Sequence, residues 1–185
     1  MRAFIAVGLP DEVRDALAGL QRQLDASRAD VKWVEPANLH LTLKFLADLT
    51  EAQRAGMDAL LRQIADRQPK FVMRLGALGA FPTLTAPRVV WVGCEEGQEP
   101  LIRMAQQVEA GAAALNLPRE ERPFAAHLTI GRVRSPRGRA DLVRAIRTVS
   151  WTPPAAWPVT ALTLYQSVLS SRGPTYTALA EVALA

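Results

Sequence analysis

The chain is short of the residues that usually build ligand sites: one cysteine, Cys94, and two histidines, His40 and His127, in 185 residues. A single thiol excludes an internal disulfide and any multi-cysteine zinc or iron–sulfur centre. Lysine is scarce as well, three against nineteen arginines, so arginine abundance alone says little about function. No apolar run approaches the roughly 18 residues of a membrane span, and the first residues lack the charged-then-apolar plan of a signal peptide. These absences predict a soluble, cytoplasmic protein with no membrane partner, in keeping with a reduced thiol. At 49% apolar residues the composition is that of an ordinary globular chain able to bury a sizeable core.

What is present is a repetition. Both histidines are followed by Leu-Thr, as His40-Leu41-Thr42 and His127-Leu128-Thr129. Coincidence is a poor account of that when the chain holds no third histidine. Around the second copy, Arg119 to Arg147 carries eight arginines against Glu120, Glu121 and Asp141. A basic segment there points to an anionic ligand, with a phosphate-bearing one the natural candidate; general arginine richness is the competing explanation.

The pattern of elements repeats too. Arg2 to Gly8 alternates as a strand, and Pro10-Asp11 opens a helix with Val13, Leu17, Leu20 and Leu24 on one face. His40 to Ala47 reads as a strand, Thr50-Glu51-Ala52-Gln53 as a capping box before a helix with Met57, Leu60, Leu61 and Ile64 inward, and Lys70 to Ala80 as a strand. Gly79 to Pro87 reads as a loop, because its prolines cannot sit inside a central strand. The second half follows the same order: strand Arg88 to Cys94, helix Pro100 to Leu115, strand Phe124 to Val133, helix from Ser135-Pro136 to about Val149, strand Val159 to Val168. Trp151 to Pro158 reads as loop. Adding the 87 residues between the histidines takes Phe4 to Trp91, Asp11 to Gln98 and Lys70 to Trp157. The prediction is one α+β domain over residues 1–185, made of an internal repeat at about 1–85 and 86–170 and closed by a tail strand at 176–184. A last strand returning to pair beside the first would blur that division.

Alternation on a strand places His40, Thr42 and Lys44 on one face and Leu41, Leu43 and Phe45 on the other. Likewise His127, Thr129 and Gly131 separate from Leu128 and Ile130. Each copy presents an imidazole and a hydroxyl, and two facing copies would bring two of each together. Paired imidazoles with ordinary pKa values near 6.5 can work as acid and base at neutral pH. In phosphodiester hydrolysis one takes a proton from water and the other gives one to the leaving oxygen. Thr42 and Thr129 would hydrogen-bond the nonbridging oxygens, at about 1.5–3 kcal/mol for each bond to a charged partner. Two histidines and one cysteine, with no carboxylate at ligand spacing, make a metal site a poor reading, and none is expected; nor is a cofactor.

These residues resemble the two-histidine phosphoesterases with paired His-x-Thr motifs, and among them the RNA 2',3'-cyclic phosphodiesterases, also called 2'-5' RNA ligases. Arg2-Ala3-Phe4-Ile5-Ala6-Val7 with Leu9-Pro10 is similar to the opening strand, and Trp33 with Asn38 to Leu46 to the first motif. Pro87 to Gly93 resembles the central strand, Phe124 to Arg132 the second motif, and Leu164-Tyr165-Gln166-Ser167 with Gly173 and Tyr176 the closing signature. Ala126 and Gly131 depart from it, where proline and alanine are frequent. The resemblance implies a bilobal, pseudo-symmetric fold of two mainly antiparallel sheets flanked by helices, with the active site in the cleft between them. It implies hydrolysis of 2',3'-cyclic phosphate ends of RNA or nucleotides to 2'-phosphomonoesters, with His40 as proton donor and His127 as acceptor and no obligate protein partner. The two motifs, being nearly identical, do not themselves assign direction.

Further candidates for substrate binding are Lys44, on the face of His40; Arg132, which needs a bulge to leave the Leu128 and Ile130 face; Trp33 and Phe45, for stacking on a base or for packing; and Tyr176, through the closing signature. The alternatives are a 2'-5' RNA ligase and a noncatalytic nucleotide- or RNA-binding module in the same cleft.

Overall fold

The helices lie where the apolar spacing and caps put them. In the computed structural model, which describes Met1–Ala185, α1 (Asp11–Asp25) buries Val13, Leu17, Leu20 and Leu24, and α2 (Glu51–Arg67) buries Met57, Leu61, Ile64 and Ala65. The Thr50 hydroxyl accepts from the Gln53 amide at 3.2 Å while Gln53 Oε1 accepts from the Thr50 amide at 3.0 Å, the reciprocal pair of a capping box. In the second half α3 runs Gln98–Ala114, its start 87 residues after that of α1. The last helix, α4 (Arg139–Thr148), begins later than the Ser135-Pro136 pair suggests, after a left-handed Gly138.

Nine strands form two antiparallel sheets. The first has the order β3 (Leu41–Asp48), β1 (Arg2–Val7), β8 (Ala161–Ser170), β9 (Gly173–Ala183); the second, β2 (Val31–Trp33), β6 (His127–Val133), β5 (Pro87–Glu96), β4 (Phe71–Pro82), β7 (Trp157–Val159). The tail strand β9 pairs with β8 at the sheet edge, and it is β8 that lies beside β1. Each sheet draws on both halves of the chain. β1, flanked by β3, pairs on its other edge with β8, the last repeated strand of the second half, and β5, flanked by β6, pairs on its other edge with β4, the last of the first half. The helices cross as well: α1 packs on α4 and β6, whereas α3 packs on α2 and β3. Spatial lobes therefore do not follow the two halves of the chain, and one apolar core runs through both sheets.

Three local expectations change. Pro82 and Pro87 pair with each other at the turn end of the β4–β5 hairpin, so the predicted loop shrinks to residues 83–86. Prolines are tolerated there because they terminate the ladder instead of interrupting it. Residues 31–33 and 157–159 add short edge strands, β2 and β7, that three-residue patterns do not announce. Helices cover the outer face of each sheet, and β3 and β6, the two motif strands, meet each other. The two uncovered faces line the space between them.

Candidate active site

Both motifs carry a bulge just after the threonine. Along β3, Thr42 lies opposite Ala6 and Lys44 opposite Ile5, so Leu43 is extra. Along β6, Thr129 lies opposite Trp91 and Gly131 opposite Val90, so Ile130 is extra. A bulge resets alternation. Lys44 is thereby carried away from Thr42 to the helix-covered face, and Phe45 is carried to the cleft.

The bulge overturns two expectations. Lys44 still borders the cleft but is 3% exposed, and its ammonium is engaged, donating to Glu109 Oε2 at 2.6 Å and to the Pro118 carbonyl at 3.0 Å, so it is not free beside His40. Phe45, assigned by strict alternation to the packing face, is 55% exposed and lines the cleft. In the second motif the bulge is the one Arg132 required, and Arg132 lines the cleft at the position equivalent to Phe45, 87 residues on. A third expectation fails for Trp33. Its indole N–H donates to Asp25 at 2.9 Å, its ring lies over Gly131, and it takes no part in the cleft. A Cβ on Gly131 would come within 2.6 Å of Trp33 Cε3, so the departure to glycine makes room for the indole.

A cavity of about 870 Å³ gathers His40, Thr42, His127, Thr129, Arg132 and Tyr176, together with Phe45 and the loop after α3. The imidazoles are anchored alike. His40 Nδ1 lies 2.6 Å from the Asn38 carbonyl and His127 Nδ1 lies 2.7 Å from the Ala125 carbonyl. A carbonyl only accepts, so each Nδ1 carries a hydrogen and each Nε2 is left to exchange protons with a ligand. Asn38 is itself tied by its side-chain amide to the Pro174 carbonyl at 3.0 Å, which joins the first motif to β9.

Their surroundings differ. His40 stacks on Phe4, with ring centroids 4.6 Å apart and planes 23° apart, and meets Tyr176 edge-on at 5.2 Å. Burial among these rings lowers its pKa to about 4; the bond to Asn38 opposes this, and the Arg14 charge adds to it. His127 has edge contacts only, with Phe81 at 5.2 Å and Trp91 at 6.3 Å. Burial also raises the Tyr176 phenol, against the charges of Arg132 and Arg2, so it stays a hydroxyl donor.

This is a duplicated imidazole–hydroxyl pair, facing across a cleft, on a repeat that the family comparison finds as well. The model described as LigT like Phosphoesterase matches residues 7–91 and again 92–176. The chain belongs to that family. Among its relatives, the RNA 2',3'-cyclic phosphodiesterase of Archaeoglobus fulgidus is 37% identical over 95% of this chain and 96% of its own. That of Aquifex aeolicus is 33% identical over 98% and 96%. Among solved structures, a Thermus thermophilus protein superposes with a TM-score of 0.82 at 33% identity, covering 100% of this chain and 98% of its own. E. coli LigT complexed with 3'-AMP gives 0.80 at 29%, covering 99% and 97%.

Within this LigT-like framework the structure adds residues that pattern reading missed. Phe4 and Trp91, beneath the two histidines, are 87 residues apart, and that spacing was the available signal. Arg119, Arg122 and Phe124 line the cleft from the loop after α3, where no periodicity marks them. Of the eight arginines in the basic segment, Arg119, Arg122 and Arg132 line the cleft, whereas Arg134 and Arg137 pair with Asp30 and Arg144 with Asp141. No three His, Cys, Asp or Glu side chains group as metal ligands, and no helix is long and apolar enough to cross a membrane.

Proposed function

We propose that this protein hydrolyses the 2',3'-cyclic phosphate ends of RNA or nucleotides to 2'-phosphomonoesters, by acid–base catalysis with two histidines and without metal or cofactor. The observation that carries it is the identical anchoring of His40 and His127, each with Nδ1–H on a backbone carbonyl, Nε2 free, and a threonine hydroxyl beside it in one cavity. Relatives named RNA 2',3'-cyclic phosphodiesterase over nearly the whole chain support the substrate class.

In the reaction, water attacks phosphorus opposite the 3' oxygen and His127 Nε2 takes its proton. The bond from phosphorus to the 3' oxygen breaks, His40 Nε2–H protonates that oxygen, and the phosphate stays on the 2' oxygen. Thr42, Thr129 and Arg132 hold the nonbridging oxygens, where negative charge accumulates. Tyr176 and Phe45 bound the space for the nucleoside. His40 is neutral at pH 7 in the empty cleft, so its donor role requires the arriving phosphate anion to raise its proton affinity. The protein acts in the cytoplasm as one two-lobed unit over residues 1–185, with the repeat at about 1–85 and 86–170 and the tail strand at 176–184.

The test is turnover of a nucleoside 2',3'-cyclic phosphate in excess chelator, with product regiochemistry read by phosphorus NMR. A 2'-monophosphate is expected. Loss of turnover with chelator overturns the metal-free mechanism, and tight nucleotide binding without turnover would make the cleft a binding module.

A further inference from the structure

The Lys44 side chain, turned by the bulge toward α3 at the border of the cleft, ends in a small, partly buried network. Its ammonium donates to Glu109 Oε2 on α3 and to the Pro118 carbonyl, and Glu109 Oε1 accepts from the Glu120 amide at 3.0 Å. Desolvation works against the Glu109 carboxylate, but the bonds from Lys44 and the Glu120 amide, with the charges of Lys44 and Arg119, outweigh it and hold its pKa below the ordinary value. The Glu109 carboxyl is therefore ionised across the neutral range.

Apart from Phe124 and Ala126, which pack on the core near its end, the segment it grips has little else to hold it. Residues 118–126 belong to no helix or strand and make no backbone–backbone hydrogen bond. Their polar anchors are three: the Pro118 carbonyl on Lys44, the Glu120 amide on Glu109, and the Ala125 carbonyl on His127 Nδ1. Between the first two sits Arg119, and between the second and third sit Arg122 and Phe124, all lining the cleft. Loop backbone without partners samples many conformations, so fixed charges at Pro118 and Glu120 select one of them.

We propose that the Lys44–Glu109 pair is a positioning brace: anchored beside the first motif, it fixes the 118–125 loop so that its arginines and the Ala125 carbonyl are set for the phosphate and for His127. The brace links the lobes functionally, because a residue four positions after His40 orders the chain that supports His127. This rests on the proposed phosphodiesterase reading; both residues border the cleft, but their polar atoms are turned to each other and to the loop.

The variant that separates positioning from folding is Lys44→Met with Glu109→Leu. Lys44 is buried and Glu109 half-buried, and replacing an ion pair largely out of water by apolar side chains of similar volume is commonly neutral or stabilising, so this protein should fold with a Tm near wild type. It has no acceptor for the Glu120 amide. The expected result is a KM for a nucleoside 2',3'-cyclic phosphate raised about tenfold or more, with a smaller change in kcat. Amide exchange at Glu120 should also be about tenfold faster or more. Glu109→Gln, which keeps an acceptor for that amide, should fall between this variant and wild type in both measurements. Unchanged KM and unchanged exchange in the double variant overturn the brace, as does a fall in Tm with KM and kcat at their wild-type values. If the wild-type protein has no turnover, the phosphodiesterase reading fails on its own. Exchange at Glu120 and a titration with inorganic phosphate then decide the brace: weaker phosphate binding with faster exchange supports it, and wild-type values overturn it.

Discussion

His40 and His127 share a tripeptide, a strand position and a hydrogen bond, yet they stand in unlike surroundings. The motif fixes what is alike, since the bond from Nδ1 to a carbonyl two residues upstream is local and appears in both copies. What differs comes from strands that the motif does not contain. His40 stacks on Phe4 and meets Tyr176 from β9, an 11-residue strand at an edge where the second sheet has only the 3-residue β7, whereas His127 meets only the edges of Phe81 and Trp91. A repeat can thus duplicate a proton-handling group while the added tail strand makes the two copies unequal. That inequality supplies the distinction between acid and base that two identical tripeptides lack.

The largest test of the pairing is removal of either histidine. Replacement by Ala should lower kcat by 100-fold or more in both cases if both transfer protons, and steady-state kinetics on a cyclic nucleotide would show it. A large loss at one position and a small loss at the other would leave the second as a binding residue only. The inequality has its own readout in imidazole NMR. In the free protein His40 should titrate at about 4, and bound 2'-monophosphate should move it up by a unit or more. If it stays near 4 with ligand bound, His40 is the acceptor and the proposed roles exchange.

The same shift has a consequence for stability. An imidazole that titrates at about 4 when folded and at the ordinary 6.5 when unfolded binds fewer protons in the native state between those values. Its contribution is fully present above pH 6.5 and is lost as pH falls through about 4. The amount is roughly 3 kcal/mol at about 1.4 kcal/mol per pKa unit. Denaturant unfolding at pH 7 and pH 4 should show His40→Gln losing less stability than wild type by about that much, and equal losses would contradict the buried-ring account.

How much of this was legible in the residues divides along the same lines. The α+β class, the 87-residue repeat, the helix faces and the Thr50–Gln53 cap follow from local periodicity and capping chemistry, which depend on neighbours in sequence. The histidines and threonines were readable because their type and spacing recur. The exchange of β4 and β8 between sheets was not, since pairing of distant strands leaves no local mark. Nor was the bulge at Leu43, where an apolar residue in an apolar run hides an extra position and misassigns Lys44 and Phe45 together. Trp33 was misread for a related reason: its edge strand and its partner Asp25 come from separate elements.

Arg132 and Phe45 are the next comparison, equivalent positions that face the cleft with opposite chemistry. A guanidinium holding phosphate contributes a charge-assisted bond, so Arg132→Ala should cost about 1.5–3 kcal/mol of substrate binding, a KM rise of roughly ten- to a hundredfold. Phe45→Ala should cost about 1 kcal/mol if the ring packs against the nucleoside, seen as a severalfold rise in KM. Equal effects would remove the distinction between a phosphate side and a nucleoside side.

The smallest effect belongs to the residues just before that pair, Lys44 and Gly131, which both turn to the helix-covered faces. In the first lobe the position carries a long side chain that reaches Glu109; in the second it carries none, and Trp33 fills the space. Gly131→Ala sets a methyl 2.6 Å from Trp33 Cε3 and 2.9 Å from Val31 Cγ1, so the indole must shift and its bond to Asp25 must stretch. Overpacking of this kind costs about 1–3 kcal/mol, and although Gly131 is buried, the half-buried Trp33 ring can give way, which places the cost at the low end. Adding Trp33→Leu to Gly131→Ala should recover stability, because the smaller side chain clears the methyl, whereas Trp33→Leu alone should destabilise by leaving Gly131 uncovered. Recovery in the double variant, measured by thermal unfolding, gives a coupling energy of opposite sign to the single losses. Simple additivity would mean that the glycine is there for some reason other than the indole above it.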